Sequence, residues 1–290
     1  MSPATDDAAD PAMDHQMDVA RVLTLNFWGE QDPIDARLRL VVAGCRALAP
    51  DVIALQEVLH LDGAATDQAD DIAAGLGYHV AYGAAWEIGG GLHFGNAVLS
   101  RFPIAEHRTF LLPSGGDEQR ALLYALVEMA GVRVPLFVTH LNWKFHQGAI
   151  RQRQVSFIAD RIAEICPVIE KASEERGDRF PPILAGDFNA EPLADEIRFF
   201  AGWCALDGKS AYFADAFRLV GAGAGATFCR RNPFAAIARE PDRRIDYIFV
   251  RGPDRRGRGE PLACRVVLDQ PEEGVFPSDH FGVYAELSTK

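Results

Sequence analysis

Residues 122–129 (LLYALVEM) and 132–140 (VRVPLFVTH) are strand-length apolar runs separated only by Ala130-Gly131, a connection so short that it joins antiparallel neighbours. The same chain carries strand-helix-strand signals, which join parallel ones. Residues 21–27 are rich in β-formers, Gln31-Asp32-Pro33 then offers an N-cap and a first-turn proline to an amphipathic run ending at Ala49, and residues 52–55 form a short apolar run. A fold that holds both connections contains mixed sheets.

Further strand signals cover 78–83, 96–100, 183–185, 245–250, 264–268 and 282–287, with a helix expected near 69–75. The longest helical pattern runs over 149–172, with Val155, Ile158, Ile162 and Ile165 on one face and Pro167 set to kink or end it. Strands outnumber helices. The expected fold class is α/β (α+β), a four-layer sandwich of two packed mixed β-sheets flanked by helices. At 290 residues one large core suffices, so residues 20–290 are expected as a single domain behind a disordered acidic tail, 1–19.

The apolar runs are far shorter than the roughly 18 residues of a membrane span, and residues 1–18 lack the basic and apolar regions of a signal peptide. The five cysteines are scattered, odd in number and without CxxC spacing, which suggests reduced thiols and a cytoplasmic setting. The net charge of -12 argues at first against a polyanionic partner. Five of the acids, however, lie within residues 1–18, where no lysine or arginine offsets them, and four more are candidate catalytic carboxylates. Charge therefore leaves DNA, RNA and anionic lipid surfaces open.

Several of the apolar runs end in polar residues that a purely structural strand does not need: Asn26, Glu57, His140 with Asn142, Asp187 with Asn189, Asp246, and Asp279 with His280. Strand ends converge on one rim of a sheet, where a rigid base can hold a site. Singly, each has a bland explanation as a cap, a turn or a satisfied core histidine. As an ordered set they are specific.

The set is Leu25-Asn26, Leu55-Gln56-Glu57-Val58, Thr139-His140-Leu141, Gly186-Asp187-Phe188-Asn189, Arg244-Ile245-Asp246-Tyr247 and Ser278-Asp279-His280. It resembles the endonuclease/exonuclease/phosphatase superfamily, the DNase I-like fold that also holds neutral sphingomyelinases and inositol polyphosphate phosphatases. Asn96-Ala97-Val98-Leu99-Ser100-Arg101 is a further match, commoner in the lipid-acting branches. The resemblance implies that Glu57 and Asn26 hold a magnesium ion, with manganese as a substitute and Asp279 as a further ligand or anchor. Magnesium prefers such oxygen donors and leaves room for phosphate oxygens. The resemblance further implies that Asp246 orients His280, which acts as general base or faces the phosphate, and that Asp187 positions or deprotonates the attacking water. It makes Asn189 and His140 donors to the phosphoryl oxygens, with Asn142 nearby and Asn96 at the substrate.

Substrate is less legible. DNA-repair members commonly carry an acidic residue two positions after the first asparagine, where this chain has Trp28, which weighs against an abasic-site endonuclease. Trp143-Lys144-Phe145-His146 offers aromatic and cationic side chains beside His140, as pocket lining or, for the rings, core packing. Residues 230–258 hold nine arginines against four acids, either a solvated loop or a phosphate-binding rim. A phosphodiesterase for a small or lipid-derived substrate therefore ranks ahead of a nuclease and then a phosphomonoesterase. An inactive binding module is the alternative of another class. No obligate protein partner is implied.

Overall fold

A computed structural model describes residues 18–116, 118–168 and 179–290; the expected tail, apart from Asp18 and Val19, lies outside them. Twelve strands are described, in order β1 (Val19–Asn26), β2 (Val52–Leu61), β3 (His79–Gly89), β4 (Leu92–Ser100), β5 (Ile104–Leu111), β6 (Ala121–Met129), β7 (Val132–His140), β8 (Ile183–Asp187), β9 (Ala214–Asp215), β10 (Asp246–Val250), β11 (Pro261–Val267) and β12 (Gly282–Ser288). Among them lie α1 (Ile34–Leu48), α2 (Gln68–Leu76), α3 (Gly148–Ile165), α4 (Asp195–Phe200), α5 (Ala216–Val220) and α6 (Pro233–Ala236). The strands form two six-stranded mixed sheets, ordered β11-β12-β1-β2-β4-β3 and β5-β6-β7-β8-β10-β9.

The sheets face each other across Val22, Ala54, Val98, Leu123, Leu136, Ala185, Ile248 and Ala285. Each outer face is covered in turn. Leu23, Leu25, Ile53 and Leu55 point the other way, against Val41 and Cys45 of α1 and Ile72 of α2. Phe137, Leu184 and Phe249 pack outward against Val155, Ile158 and Ile162 of α3 and Phe200 of α4. Strands buried on both faces read as continuous apolar runs. The expected four-layer sandwich is the observed fold.

Three local expectations change. Pro33, rather than Asp32, stands at the N-cap of α1, and no side chain caps that helix. Helix α3 stops at Ile165, because Pro167 cannot continue it; residues 169–172 of the expected helix lie outside the described residues. Strand β5 was not anticipated: its IAEHRTFL segment is largely solvent-exposed and shows no alternation of the kind that marks a half-buried strand. Among the described residues no helix is long and apolar enough to cross a membrane.

Sheet direction places the polar strand ends together. Strands β1 and β2 run parallel, as do β7 and β8, so Asn26, Glu57, His140 and Asp187 arrive at one rim. Strands β10 and β12 run antiparallel to β8 and β1 and begin at that rim, where Asp246 opens β10 and Asp279 and His280 precede β12. His140, Asp187 and Asp246 sit side by side in register across three neighbouring strands.

Candidate active site

Glu57 owes its position to a break in a ladder. Between Leu55 and Val58 the pairing of β2 with β4 slips at a bulge, and Glu57 takes the left-handed conformation, φ 57°. A bulge re-aims the side chain it carries. Trp28 (φ 59°) and Asn189 (φ 49°) are left-handed as well, so three non-glycine residues around one cleft bear backbone strain, each costing on the order of 1–3 kcal/mol. Such strain concentrates where geometry serves chemistry.

The carboxylates are tied to one another through Asn26. Its Nδ2 donates to Glu57 Oε1 (2.9 Å) and Asp187 Oδ2 (3.0 Å), while its Oδ1 accepts from Trp28 N (3.1 Å). Ser278 Oγ donates to Asn26 O (2.6 Å) and stands 3.2 Å from Asp279 Oδ1, locking the start of β12 to the end of β1. Asn232, fully buried, donates to the carbonyls of Ser278 (2.6 Å) and Asp279 (3.1 Å).

His280 Nδ1 meets Asp246 Oδ2 at 2.9 Å and its Nε2 lies 3.8 Å from Asp187 Oδ2. Burial opposes charge on this ring, but Asp246, Asp279 and Asp187 outweigh it and hold the imidazole well above its ordinary range. The charged form of the His280 ring is therefore favoured. Burial and the neighbouring Asp246 push Asp187 up to about 6, against the pull of His280 and the bonds from Asn26 and Asn189. Asp279 is likewise raised to about 6 by burial and Glu57, and burial raises Glu57 too.

His140 has the opposite character. Arg120 Nη1 stands 3.1 Å from His140 Nδ1, and His140 Nε2 lies 3.5 Å from Asp187 Oδ2. Burial, Arg120 and His280 keep this ring neutral. Asn189 Nδ2 donates to Leu141 O (3.1 Å) and lies 3.0 Å from His140 Nε2, and Asn189 N donates to Asp187 Oδ1 (2.8 Å).

These groups line a cleft of about 410 Å³, walled by Trp28, Trp86, Phe94, Trp143 and Phe228 and flanked by Arg120 and Arg243. Of the residues expected at the site, Glu57, His140, Trp143, Asp187, Asn189, Asp279 and His280 line it, with Asn26 and Asp246 directly behind. The structure places three elsewhere. Asn96 is buried and spends its amide on Ala121 O (3.0 Å). Asn142 is buried against α3, accepting from Gln154 Nε2 (2.6 Å). Lys144 stays off the cleft wall, its ammonium 6.0 Å above the Trp143 ring.

Two arginines were not anticipated. Arg120 precedes β6 in no recognisable pattern. Arg37, fully buried in α1, donates to the carbonyls of Pro277 (3.1 Å), Trp28 (3.0 Å), Gln31 and Phe27, clamping the loop after β1 to the one before β12. Burial brings it down to about 10 despite the attraction of Asp279 and Glu57. It shares a helical face with Val41 and Cys45, and a charged residue on an apolar stripe was the available signal.

The donor set fits a hard divalent cation: Glu57 and Asp279 bring carboxylate oxygens to one cleft with their ionised forms disfavoured. Among the described residues, Asp187, Asp246 and His280 also offer ligand atoms within 4.8 Å of one another. That trio reads as an acid-base cluster, since the His280 nitrogen facing Asp246 is already committed.

A model of the Endonuclease/Exonuclease/phosphatase family matches residues 23–280. The uncharacterized protein YbhP of Escherichia coli K12 is 30% identical over 184 residues, 58% of this chain, and the match spans 66% of YbhP. An endonuclease/exonuclease/phosphatase from Beutenbergia cavernae is 26% identical with a TM-score of 0.68, covering 94% of this chain and 72% of that one. Danio rerio TDP2, solved with a single-strand DNA product, reaches a TM-score of 0.71 at 19% identity over 93% of this chain and 99% of its own, a likeness of fold alone. With the family model running from β1 to His280 through every motif at the cleft, the chain belongs to the endonuclease/exonuclease/phosphatase family of phosphoester hydrolases.

Proposed function

We propose that the protein is a magnesium-dependent cytoplasmic phosphodiesterase acting on a small or lipid-derived substrate. The observation that carries the reaction class is the convergence of Glu57, Asp187, Asp279 and the His280–Asp246 pair on one cleft. Glu57 and Asp279, with Asn26 beside them, would hold the metal, which when bound supplies positive charge to the phosphate. Asp187 accepts the proton of the attacking water; it is the carboxylate between the two rings, and a value near 6 suits a base at neutral pH. His280, kept charged by Asp246, faces the phosphoryl oxygens as a fixed cation. His140 and Asn189 would donate to the same oxygens as charge develops. Arg120 is a positioning residue that helps hold the His140 ring neutral.

The cleft walls support a small substrate. Arg120 pairs with Glu118 (2.7 Å) and Arg243 with Glu240 (2.9 Å), so among the described residues lining the cleft these two arginines are already neutralised rather than free for a long polyanion. A second reading, cleavage of single-stranded nucleic acid, draws on the aromatic walls and on the TDP2 structure with its single-strand DNA product. A panel of bis-p-nitrophenyl phosphate, sphingomyelin, phosphoinositides and single- and double-stranded nucleic acids, each with magnesium or EDTA, separates the two. Magnesium-dependent turnover of small or head-group substrates is expected; efficient nucleic-acid cleavage with no head-group activity reverses the order.

A further inference from the structure

The sheet that carries Glu57 continues past it. Beyond the bulge in β2, Leu59 and His60 stand opposite Phe94 and His93 of β4, and on the far side of β4 the same two residues stand opposite Trp86 and Glu87 of β3. Directly opposed residues share a face of the sheet, and neighbours along a strand take opposite faces. Trp86 and Phe94 line the catalytic cleft, so the next row, Glu87, His93 and His60, projects from the other side. There His60 stacks on Tyr82 with ring centroids 5.1 Å apart, and Tyr82 packs against the layer formed with α1 and α2.

Each imidazole of this row is held by a carboxylate through one nitrogen. His60 Nδ1 meets Asp67 Oδ2 at 2.6 Å, and His93 Nε2 meets Asp62 Oδ2 at 3.1 Å. Asp67 is fixed in turn by its capping box with Asp70 at the start of α2. Among the described residues no hydrogen bond falls on His60 Nε2 or His93 Nδ1. Both side chains are open to solvent, at 36% and 23%.

A carboxylate behind one ring nitrogen is the arrangement that orients a metal-ligating histidine and strengthens its other nitrogen as a ligand. Here two such histidines stand side by side on adjacent strands. Their ring centroids are 6.3 Å apart; two imidazoles on one tetrahedral ion, with bonds of about 2 Å, bring that separation to roughly 5 Å. The row is thus more open than the Asp187, Asp246 and His280 trio, whose ligand atoms lie within 4.8 Å of one another, and small rotations of two partly exposed side chains close it. Glu87, exposed and opposite His93, adds an oxygen donor, its Oε1 steadied by Gly91 N (3.0 Å). Imidazole nitrogens suit zinc and similar transition metals, whereas magnesium takes oxygen ligands. The chemistry of this row therefore differs from that of the oxygen-rich cleft.

We propose that His60 and His93, with Glu87 as third ligand, form a zinc site on the face of the sheet opposite the catalytic cleft, where the ion ties the β3–β4 hairpin to β2. Calorimetric titration of the full-length protein with zinc chloride, with magnesium in excess to hold the cleft, tests it. Zinc binds with micromolar affinity or better. His60→Gln and His93→Gln each weaken this binding at least about tenfold, and Asp62→Asn, which touches only the outer nitrogen of His93, weakens it about tenfold. Glu57→Gln, in the cleft, leaves the affinity as it was. Zinc raises the Tm of wild type but not that of either histidine variant. Without any substitution, bound zinc protects His60 and His93 from diethylpyrocarbonate, as peptide mass spectrometry reads directly. Zinc binding that is absent at about 100 μM, or indifferent to both histidine substitutions, overturns the site. Binding lost in Glu57→Gln does so as well, since it places the ion in the cleft, and so does labelling of both rings undiminished by saturating zinc.

Discussion

At the scale of residues, environment divides chemically similar groups into different roles. His280 and His140 stand on opposite sides of Asp187, yet three carboxylates charge the first and Arg120 keeps the second neutral. The roles follow: one fixed cation, one neutral donor, one base between them. Asp246→Asn removes the anion bonded to His280 Nδ1, so kcat falls about 100-fold or more with KM little changed, as steady-state kinetics will register. The identities of these residues were legible because each ends an apolar run inside a recognisable motif. Their protonation was not, since it depends on Arg120 and on burial, neither of which leaves a pattern in the sequence. Asn96 and Asn142 show the converse. Both are polar residues in or beside strands near the site, but Asn96 donates to Ala121 O and Asn142 accepts from Gln154, each buried away from the cleft.

At the scale of elements, strand direction does most of the positioning, and two backbone irregularities finish it. The bulge in β2 turns Glu57 toward the cleft. Gly186, φ 145°, lets β8 lie against β7 immediately before Asp187; a Cβ there would sit 1.9 Å from Thr139 O. Gly186→Ala therefore costs at least about 3 kcal/mol in urea unfolding, and an unchanged midpoint contradicts the close approach. Helix and strand identities could be read wherever periodicity was strong, as in α1, α3, β6 and β7. Strand β5 could not, because an exposed edge strand with polar side chains gives no burial signal. The α3 end and the α1 cap shifted by tertiary and proline effects that local pattern does not contain.

At the scale of the whole molecule, two sheets each contribute half of the site: Asn26, Glu57, Asp279 and His280 belong to or adjoin one, and His140, Asp187 and Asp246 belong to the other. Asn26 Nδ2 bridges the halves by bonding both Glu57 and Asp187. A cation held by Glu57 and Asp279 relieves the cost of placing two disfavoured carboxylates in one cleft. Magnesium at 100 times its Kd stabilises the fold by about 2.7 kcal/mol, a rise in Tm of roughly 5 °C or more for a chain of this size. Glu57→Gln raises the metal-free Tm and abolishes the magnesium response; a response equal to that of wild type removes Glu57 from the metal site. The most direct measurement is single-turnover hydrolysis of bis-p-nitrophenyl phosphate by wild type, Asp187→Asn and Glu57→Gln, with magnesium and with EDTA. Wild type with magnesium should turn over, while either substitution or EDTA should reduce the rate at least about 100-fold. Wild-type rates in Asp187→Asn, or hydrolysis undiminished by EDTA, would contradict the metal-dependent site built here.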